Sequence, residues 1–325
     1  MKKVKWGVLG TASIARGCTI PGMQQADNCE LYGVAGRDLK KAEDFKETFG
    51  FEKAYGDYDA LLADSEVEAV YIPLPNHLHY EWCMKAIAAG KHVLCEKPLA
   101  PTKKQAEELF QAAAEKGVVL MEAFAYLHSP YVAALKEELD QETIGEISYI
   151  ESAFMVQSCK PDDIRMYKEM YGGALYDLGC YCVSLMVWLL GNVPEKAQAI
   201  AEYSERNIDL FTTGYMMFPG EIRASFNCGM IFGNARDSRM DRLYIHGSKG
   251  YIKSDVEFNQ AGELSYTICV DGVKETKTVS AKQNYSLEVE QLGKCITEEE
   301  QPHVSSTFSV KNAEVMDLVL EAIGY

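Results

Sequence analysis

Strand-like apolar runs and amphipathic stretches alternate through the first third of the chain. The runs fall at Val4 to Leu9, Leu31 to Ala35, Ala69 to Leu74, His92 to Cys95 and Val118 to Met121. Between them, Ile14 to Gln25, Leu39 to Thr48, His79 to Ala89 and Lys103 to Lys116 follow helical patterns. Strands alternating with helices of this length predict βαβ units on a mostly parallel sheet. Right-handed crossovers then lead to a doubly wound topology.

After about residue 125 the rhythm changes. Ile147 to Gln157, Ala197 to Tyr203, Thr212 to Phe218, Ile222 to Cys228 and Leu243 to Ile245 read as strands, with turns such as Phe218-Pro219-Gly220-Glu221. That pattern predicts an antiparallel sheet. One helix interrupts it, from Leu175 to Leu190, and another closes the chain from Asn312 to Ile323. The expected fold is an α/β Rossmann domain, a doubly wound parallel sheet, over 1–124. An α+β domain with a large open, mainly antiparallel sheet is expected over 125–325, its last helix a candidate to pack back toward the first domain.

Composition narrows the function more than the fold. With 47% hydrophobic and 25% charged residues, the 325-residue chain has the make-up of an ordinary globular protein. No stretch of about 20 apolar residues offers itself as a membrane span, and the N-terminus lacks the apolar region of a signal peptide. The ten cysteines follow no disulfide framework, so free thiols and a cytoplasmic location are expected. Beyond His77 and His79 there is no metal-ligand cadence, and no metal site is expected. A net charge of −16 argues against nucleic acid and anionic membrane as partners. An anionic cofactor would need a local device, such as a helix N-terminus or an isolated arginine.

Both devices occur. The first strand runs into Gly10-Thr11-Ala12-Ser13-Ile14-Ala15, a relaxed form of the G-x-G-x-x-G/A dinucleotide fingerprint. Gly10 permits a tight turn, small Ala12 lets the backbone approach a pyrophosphate, and Thr11 and Ser13 add hydroxyl donors. Small Ala15 lets the helix press on the sheet, with the pyrophosphate over the helix N-terminus near Ile14. At the end of the second strand, Arg37 stands where an acid usually bonds the adenosine ribose. A guanidinium there suits a 2′-phosphate and so NADP. Asp38 keeps NAD open, because turned inward it could bond a free ribose hydroxyl.

Three stretches, "GVLGTASIA", "PLPNHLHYEWCMKAIAAGKHVLCEKPLA" and "GGALYDLGCYCVSLMVWLLG", make the chain resemble the Gfo/Idh/MocA family of nicotinamide oxidoreductases over nearly its whole length. Within the family it is most similar to the branch holding dimeric dihydrodiol dehydrogenase, NADP-dependent D-xylose 1-dehydrogenase and glucose–fructose oxidoreductase. The resemblance implies that Lys97, in the Glu-Lys-Pro motif after the fifth strand, lies beside the nicotinamide ribose and the substrate. It implies cofactor contacts from Glu96, from Leu74 and Asn76, and from His79. Asn76 has the alternative of capping the next helix and His79 that of packing on it. Arg165 is open to a role on substrate or cofactor phosphate, or to a solvent ion pair.

Asp177 and Tyr181, four residues apart in a helical pattern, share one face. Oxidising an alcohol needs a base for the hydroxyl proton while the carbon-bound hydrogen leaves as hydride. A phenol with an ordinary pKa near ~10 serves only if positive charge stabilises its phenolate. Lys97 can supply that charge, and Asp177 can orient the lysine or the substrate. Tyr181 is assigned the proton transfer, with Lys97 as the alternative. The expected activity is hydride transfer between NADP and a sugar, polyol or cyclic diol. Rivals are a non-catalytic ligand sensor of the same fold and a transient use of the nicotinamide in elimination at a glycosidic bond. A homodimer or higher oligomer through the second-domain sheet is expected.

Overall fold

The structure, a computed structural model, describes residues 2–157, 160, 162–230, 239–255 and 257–325. It divides into two compact units, Met1–His128 with Lys282–Ser309, and Ser129–Ala281 with Val310–Tyr325.

In the first unit, six parallel strands form one sheet: β1 (Val4–Leu9), β2 (Cys29–Ala35), β3 (Lys53–Tyr55), β4 (Ala69–Ile72), β5 (His92–Glu96) and β6 (Leu120–Ala123). Their spatial order is β3-β2-β1-β4-β5-β6. Every residue of β4 and β6 is buried, as a sheet covered on both faces requires. The crossover helices are α1 (Ile20–Gln25), α2 (Leu39–Phe49), α3 (Tyr58–Ala63), α4 (Asn76–Ala88) and α5 (Lys103–Lys116). Asp38, Asp57 and Thr102 cap α2, α3 and α5 with their side chains, which satisfies N–H groups that a helix start leaves open. Before α1 the chain makes a wide π turn, Ala15–Thr19.

In the second unit α6 (Pro130–Asp140) precedes an eight-stranded sheet. Its strands are β7 (Ile147–Val156), β8 (Lys196–Tyr203), β9 (Asp209–Phe218), β10 (Ile222–Gly229), β11 (Arg239–Gly247), β12 (Gly250–Ser254), β13 (Gly262–Val270) and β14 (Val273–Ala281). The order is β14-β13-β12-β11-β7-β10-β9-β8, antiparallel throughout except where β10 pairs β7. One face is covered by a second π turn, Leu175–Gly179, running straight into α7 (Cys180–Leu190). By composition the stretch Lys168–Leu190 is long and apolar enough to cross a membrane, yet 78% of its apolar window is buried inside the protein. It is apolar all round because it is a core helix.

Two helices follow. α8 (Asn284–Thr297) belongs to the first unit, where the Asn28 side-chain amide donates to the Glu290 carbonyl at 2.8 Å. α9 (Ser306–Ile323) is divided between the units.

The start of the π turn in the second unit hangs on Asp209. Its Oδ2 accepts from the Leu175 N–H at 2.7 Å and from the Thr212 hydroxyl at 2.8 Å. Gly173, at φ +106°, leaves room for this, since a Cβ there would sit 1.9 Å from Asp209 Oδ1. Replacing Asp209 by alanine strands a buried N–H, and we expect a loss of about 2 kcal/mol in urea unfolding, with asparagine losing less. An unchanged midpoint for D209A would remove Asp209 as the anchor.

In the first unit, His128 Nε2 is sealed from solvent without a hydrogen-bond partner, and the ring lies 5.0 Å from that of His303. Burial, with the neighbouring imidazole second, pushes its pKa down to about 3. An unfolded histidine titrates near ~6.5, so below that pH the unfolded chain binds the extra proton and stability falls. In His128→Leu the loss of stability between roughly pH 6.5 and pH 4 should be shallower, by at most ~1.4 kcal/mol per pH unit. Urea midpoints across that range check it, and parallel slopes for the two proteins would count against it.

Candidate active site

The cofactor candidates of the first unit gather at the carboxyl ends of β2, β1, β4 and β5, which are neighbours in that order. Gly10 follows β1 at φ +123°, and its N–H donates to the Ala35 carbonyl at 2.9 Å. A Cβ at Gly10 would lie 3.1 Å from the Leu74 side chain and 3.8 Å from the Tyr58 hydroxyl. The turn therefore holds a narrow space that a side chain would fill. Thr11 and Ala12 continue it, and the helix opens at Ser13 and Ile14. First-turn N–H groups have no carbonyl within their own helix, so this turn offers donors to an anion.

Arg37 is exposed just beyond β2, with its guanidinium against the Tyr58 hydroxyl. Burial raises the Tyr58 pKa, and the guanidinium pulls it back. The ring of Trp82 packs edge-on to Tyr58 at 4.9 Å, which fixes this wall. Asp38 has a different use from the one expected. Its Oδ1 accepts from the N–H groups of Lys40 and Lys41 at 3.0 and 3.4 Å, so it is engaged as the cap of α2. An open cradle with an exposed guanidinium beyond it, followed by two lysines, fits a dinucleotide carrying a 2′-phosphate.

Leu74 is buried, and Asn76 is the half-buried first residue of α4. Glu96 ends β5 and accepts from the Tyr71 hydroxyl at 2.6 Å, while Tyr71 accepts from Thr19 at 2.8 Å. Lys97 is half-buried, and the Lys97–Pro98 peptide is cis. His79 also has another use. It is fully buried, with Nδ1 2.7 Å from the Pro98 carbonyl oxygen and Nε2 2.6 Å from that of Leu74. Both ring nitrogens thus face backbone carbonyls rather than the groove, and the neutral ring donates to one of the two. Burial lowers its pKa, with Lys97 and His77 adding to the effect.

In the second unit, Asp177 and Tyr181 span the junction of π turn and α7. Between 174 and 187 they alone are not buried. An i to i+5 turn at such a place is frequent at functional sites. Asp177 Oδ2 accepts from Arg165 Nε at 2.7 Å, and Arg165 also bridges to Asp163 at 3.1 Å. The adjacent carboxylates raise the Arg165 pKa. Of the two roles open to Arg165, the structure shows an ion pair, made with the functional candidate itself. Tyr181 stands edge-on to Phe154 at 5.3 Å and tilted to Phe258 at 5.2 Å, and the Arg239 guanidinium lies 4.7 Å over Phe154.

Sequence reasoning passed over Tyr58, Tyr71, Glu122 and Asp209. Glu122 had a usable signal, a carboxylate inside the apolar run Val118-Val119-Leu120-Met121-Glu122-Ala123-Phe124. Lys97 belongs to the first unit, whereas Arg165, Asp177 and Tyr181 belong to the second.

Residues 4–124 match the model of an oxidoreductase family with an NAD-binding Rossmann fold, and 132–253 match that of the GFO/IDH/MocA C-terminal domain. The chain is 31% identical to D-xylose 1-dehydrogenase (NADP(+)) 2 of Haloferax volcanii, over 98% of this chain and 96% of the relative. It is 32% identical to the trans-1,2-dihydrobenzene-1,2-diol dehydrogenase of Mus musculus, over 76% and 73%. Its fold superposes with a TM-score of 0.92 on a 3-ketoreductase from Actinomadura kijaniata in complex with NADP and TDP-benzene, at 30% identity over 99% and 98% of the two chains. With both halves matched, and relatives at these identities along most of its length, the chain belongs to the GFO/IDH/MocA oxidoreductase family and is an oxidoreductase.

Proposed function

We propose that the chain is an NADP-dependent dehydrogenase or reductase acting on a sugar, a ketosugar or a cyclic diol. The observation that carries the reading is the pair Asp177 and Tyr181, accessible in an otherwise buried stretch, with Asp177 held by Arg165. Three relatives support it by name, a xylose dehydrogenase, a dihydrodiol dehydrogenase and a ketoreductase.

When bound, the nicotinamide gives or takes the hydride at the carbinol carbon. Gly10 to Ile14 would hold the pyrophosphate, Arg37 the 2′-phosphate, and Leu74, Asn76 and Glu96 would line the groove. In the reducing direction the Tyr181 phenol donates its proton to the carbonyl oxygen as the carbon receives hydride. In the oxidising direction the Tyr181 oxygen must take the hydroxyl proton, which calls for a positive charge to stabilise the phenolate, the part expected of Lys97. Asp177, held by Arg165, orients the substrate hydroxyl.

The outer face of the second-unit sheet carries Tyr149, Tyr244, His246 and Tyr251, with Ile200 81% and Tyr215 41% exposed. Such an aromatic, open face supports a homodimer through this sheet. No disulfide joins the nine described cysteines, which supports the cytoplasmic location.

Arg37→Ala should weaken NADP binding by about 10- to 100-fold and leave NAD within about twofold, the loss of a charge-assisted phosphate contact. Fluorescence titration of both cofactors reads this directly, and an unchanged NADP affinity would exclude Arg37 as the phosphate ligand. Tyr181→Phe should lower kcat by roughly 10²- to 10⁴-fold with KM changed little, the range for losing a general acid or base. Steady-state assays on a panel of aldoses, ketosugars and diols provide the check. Wild-type rates in that variant would hand the proton transfer to Lys97, and cofactor binding without turnover on any of them would make the chain a sensor.

A further inference from the structure

We propose that Glu122 and His79 are positioning residues for Lys97, gripping from opposite sides the one peptide group that follows the Lys97–Pro98 pair. The proposal rests on the reading of Lys97 as an active-site residue. The peptide in question joins Pro98 to Leu99. Its oxygen lies 2.7 Å from His79 Nδ1, and its N–H donates to Glu122 Oε1 at 2.9 Å. His79 comes from α4 and Glu122 from β6, so two separate elements fix the orientation of one amide plane. On the other side of Lys97, the Tyr71 hydroxyl from β4 holds the Glu96 carboxylate. Glu96 is also registered against Ala123 of β6, so the chain on either side of the lysine is tied to the sheet core.

Neither strut is a residue that packing alone would select. His79 is 0% and Glu122 2% exposed, and burying a carboxylate or an imidazole costs free energy that an apolar side chain avoids. Burial lifts the Glu122 pKa to about 7, while the Leu99 N–H, the Ser309 hydroxyl and the charge of Lys97 work against that rise, and Glu96 adds to it. The Glu122 carboxylate thus stands close enough to Lys97 for their charges to interact. A carbonyl only accepts and a neutral imidazole carries one N–H, so His79 donates either to Pro98 through Nδ1 or to Leu74 through Nε2, and the grip on Pro98 needs the tautomer with its proton on Nδ1. A turn held this way fixes the direction in which the Lys97 side chain leaves the backbone before any ligand arrives, and displacement of a catalytic group by about 1 Å can cost about 100-fold in rate.

The test uses the full chain and compares Glu122→Met, which removes the acceptor at similar volume, with Glu122→Gln, which keeps an amide oxygen for the Leu99 N–H. One readout needs no cofactor. The rate of Lys97 acylation by acetic anhydride is followed by peptide mass spectrometry, with exposed Lys104 as internal reference. The other is the separation of kcat from KM. We expect E122M to change the relative Lys97 labelling rate at least about threefold and to lower kcat at least about tenfold with KM nearly constant, while E122Q stays near wild type in both.

Wild-type labelling and kcat in E122M would overturn the proposal, as would equal damage in E122Q and E122M. If E122M does not fold, His79→Phe keeps the ring, loses both ring nitrogens and is judged by the same two readouts. Lys97→Met separates the levels. If it turns over normally, the reading of Lys97 itself falls. If it is inactive while E122M behaves as wild type, only the positioning proposal falls.

Discussion

The first unit depends on β1 being bonded on one side to β2 and on the other to β4. Strands that leave β1 in both directions, each through a right-handed crossover, put helices on opposite faces of the sheet. The chain then has to part above the carboxyl end of β1, and a crevice opens there. Gly10, Arg37, Leu74 and Glu96 are scattered over 87 positions of sequence, yet all sit within one residue or two of the ends of β1, β2, β4 and β5. Pairing decides which residues meet, and the local chemistry only decides what they hold. The absence of a side chain at Gly10 matters because Leu74, from the loop just after β4, already occupies the far side of that crevice.

The second unit solves another problem, how to present two polar side chains from a helix that is otherwise core. Helix Cys180–Leu190 is buried along nearly all of its length against the inner face of an eight-stranded sheet. Accessible positions on such a helix are few, and Asp177 and Tyr181 take them at its entry, where the π turn widens the coil. That entry leaves helix-start N–H groups inside the protein, and Asp209 satisfies the one on Leu175. Its own carboxylate is destabilised in turn, its pKa lifted to about 6 by burial. Desolvation is thus concentrated where the polar pair is presented, as is usual at sites whose geometry matters more than their stability.

Long, periodic elements were legible from the chain alone. All five strand runs and four helices read in the first 121 residues are present, most within three residues of their ends, because apolar periodicity survives wherever a sheet is covered on both faces. The Rossmann reading followed from their alternation. What escaped was of two kinds. Short or half-exposed elements, such as β3 with three residues, carry too little pattern to register. The hairpin of β13 and β14 was missed although Asp271-Gly272 at its turn, both at positive φ, is a strong local signal. Its outward residues are polar and one strand is mostly exposed, which hides the alternation. The membership of α8 in the first unit is not a local property at all. On the site, motif position placed Gly10, Arg37, Glu96, Asp177 and Tyr181 at strand and helix ends. Which of their neighbours were already engaged, Asp38 as a cap and His79 between two carbonyls, depends on backbone direction and could not be read from residue type.

The net charge of −16 and the binding of a polyanion are compatible because charge acts locally. At physiological ionic strength the screening length is about 8 Å, so exposed acids spread over a protein of this size contribute little to the potential at one crevice. What counts is the local set of groups, and just past the β2 end Arg37, Lys40 and Lys41 follow closely in the chain, with Asp38 among them engaged as the cap of α2. Capping by Asp38 therefore does two things at once: it stabilises the start of α2, and it holds the carboxylate against backbone N–H groups whose dipoles partly offset its charge. An uncapped α2 with the same composition would present a weaker anion site. The acidity of the rest of the chain then serves discrimination, since a long polyanion such as nucleic acid extends past the local cations into repulsion, whereas a dinucleotide does not.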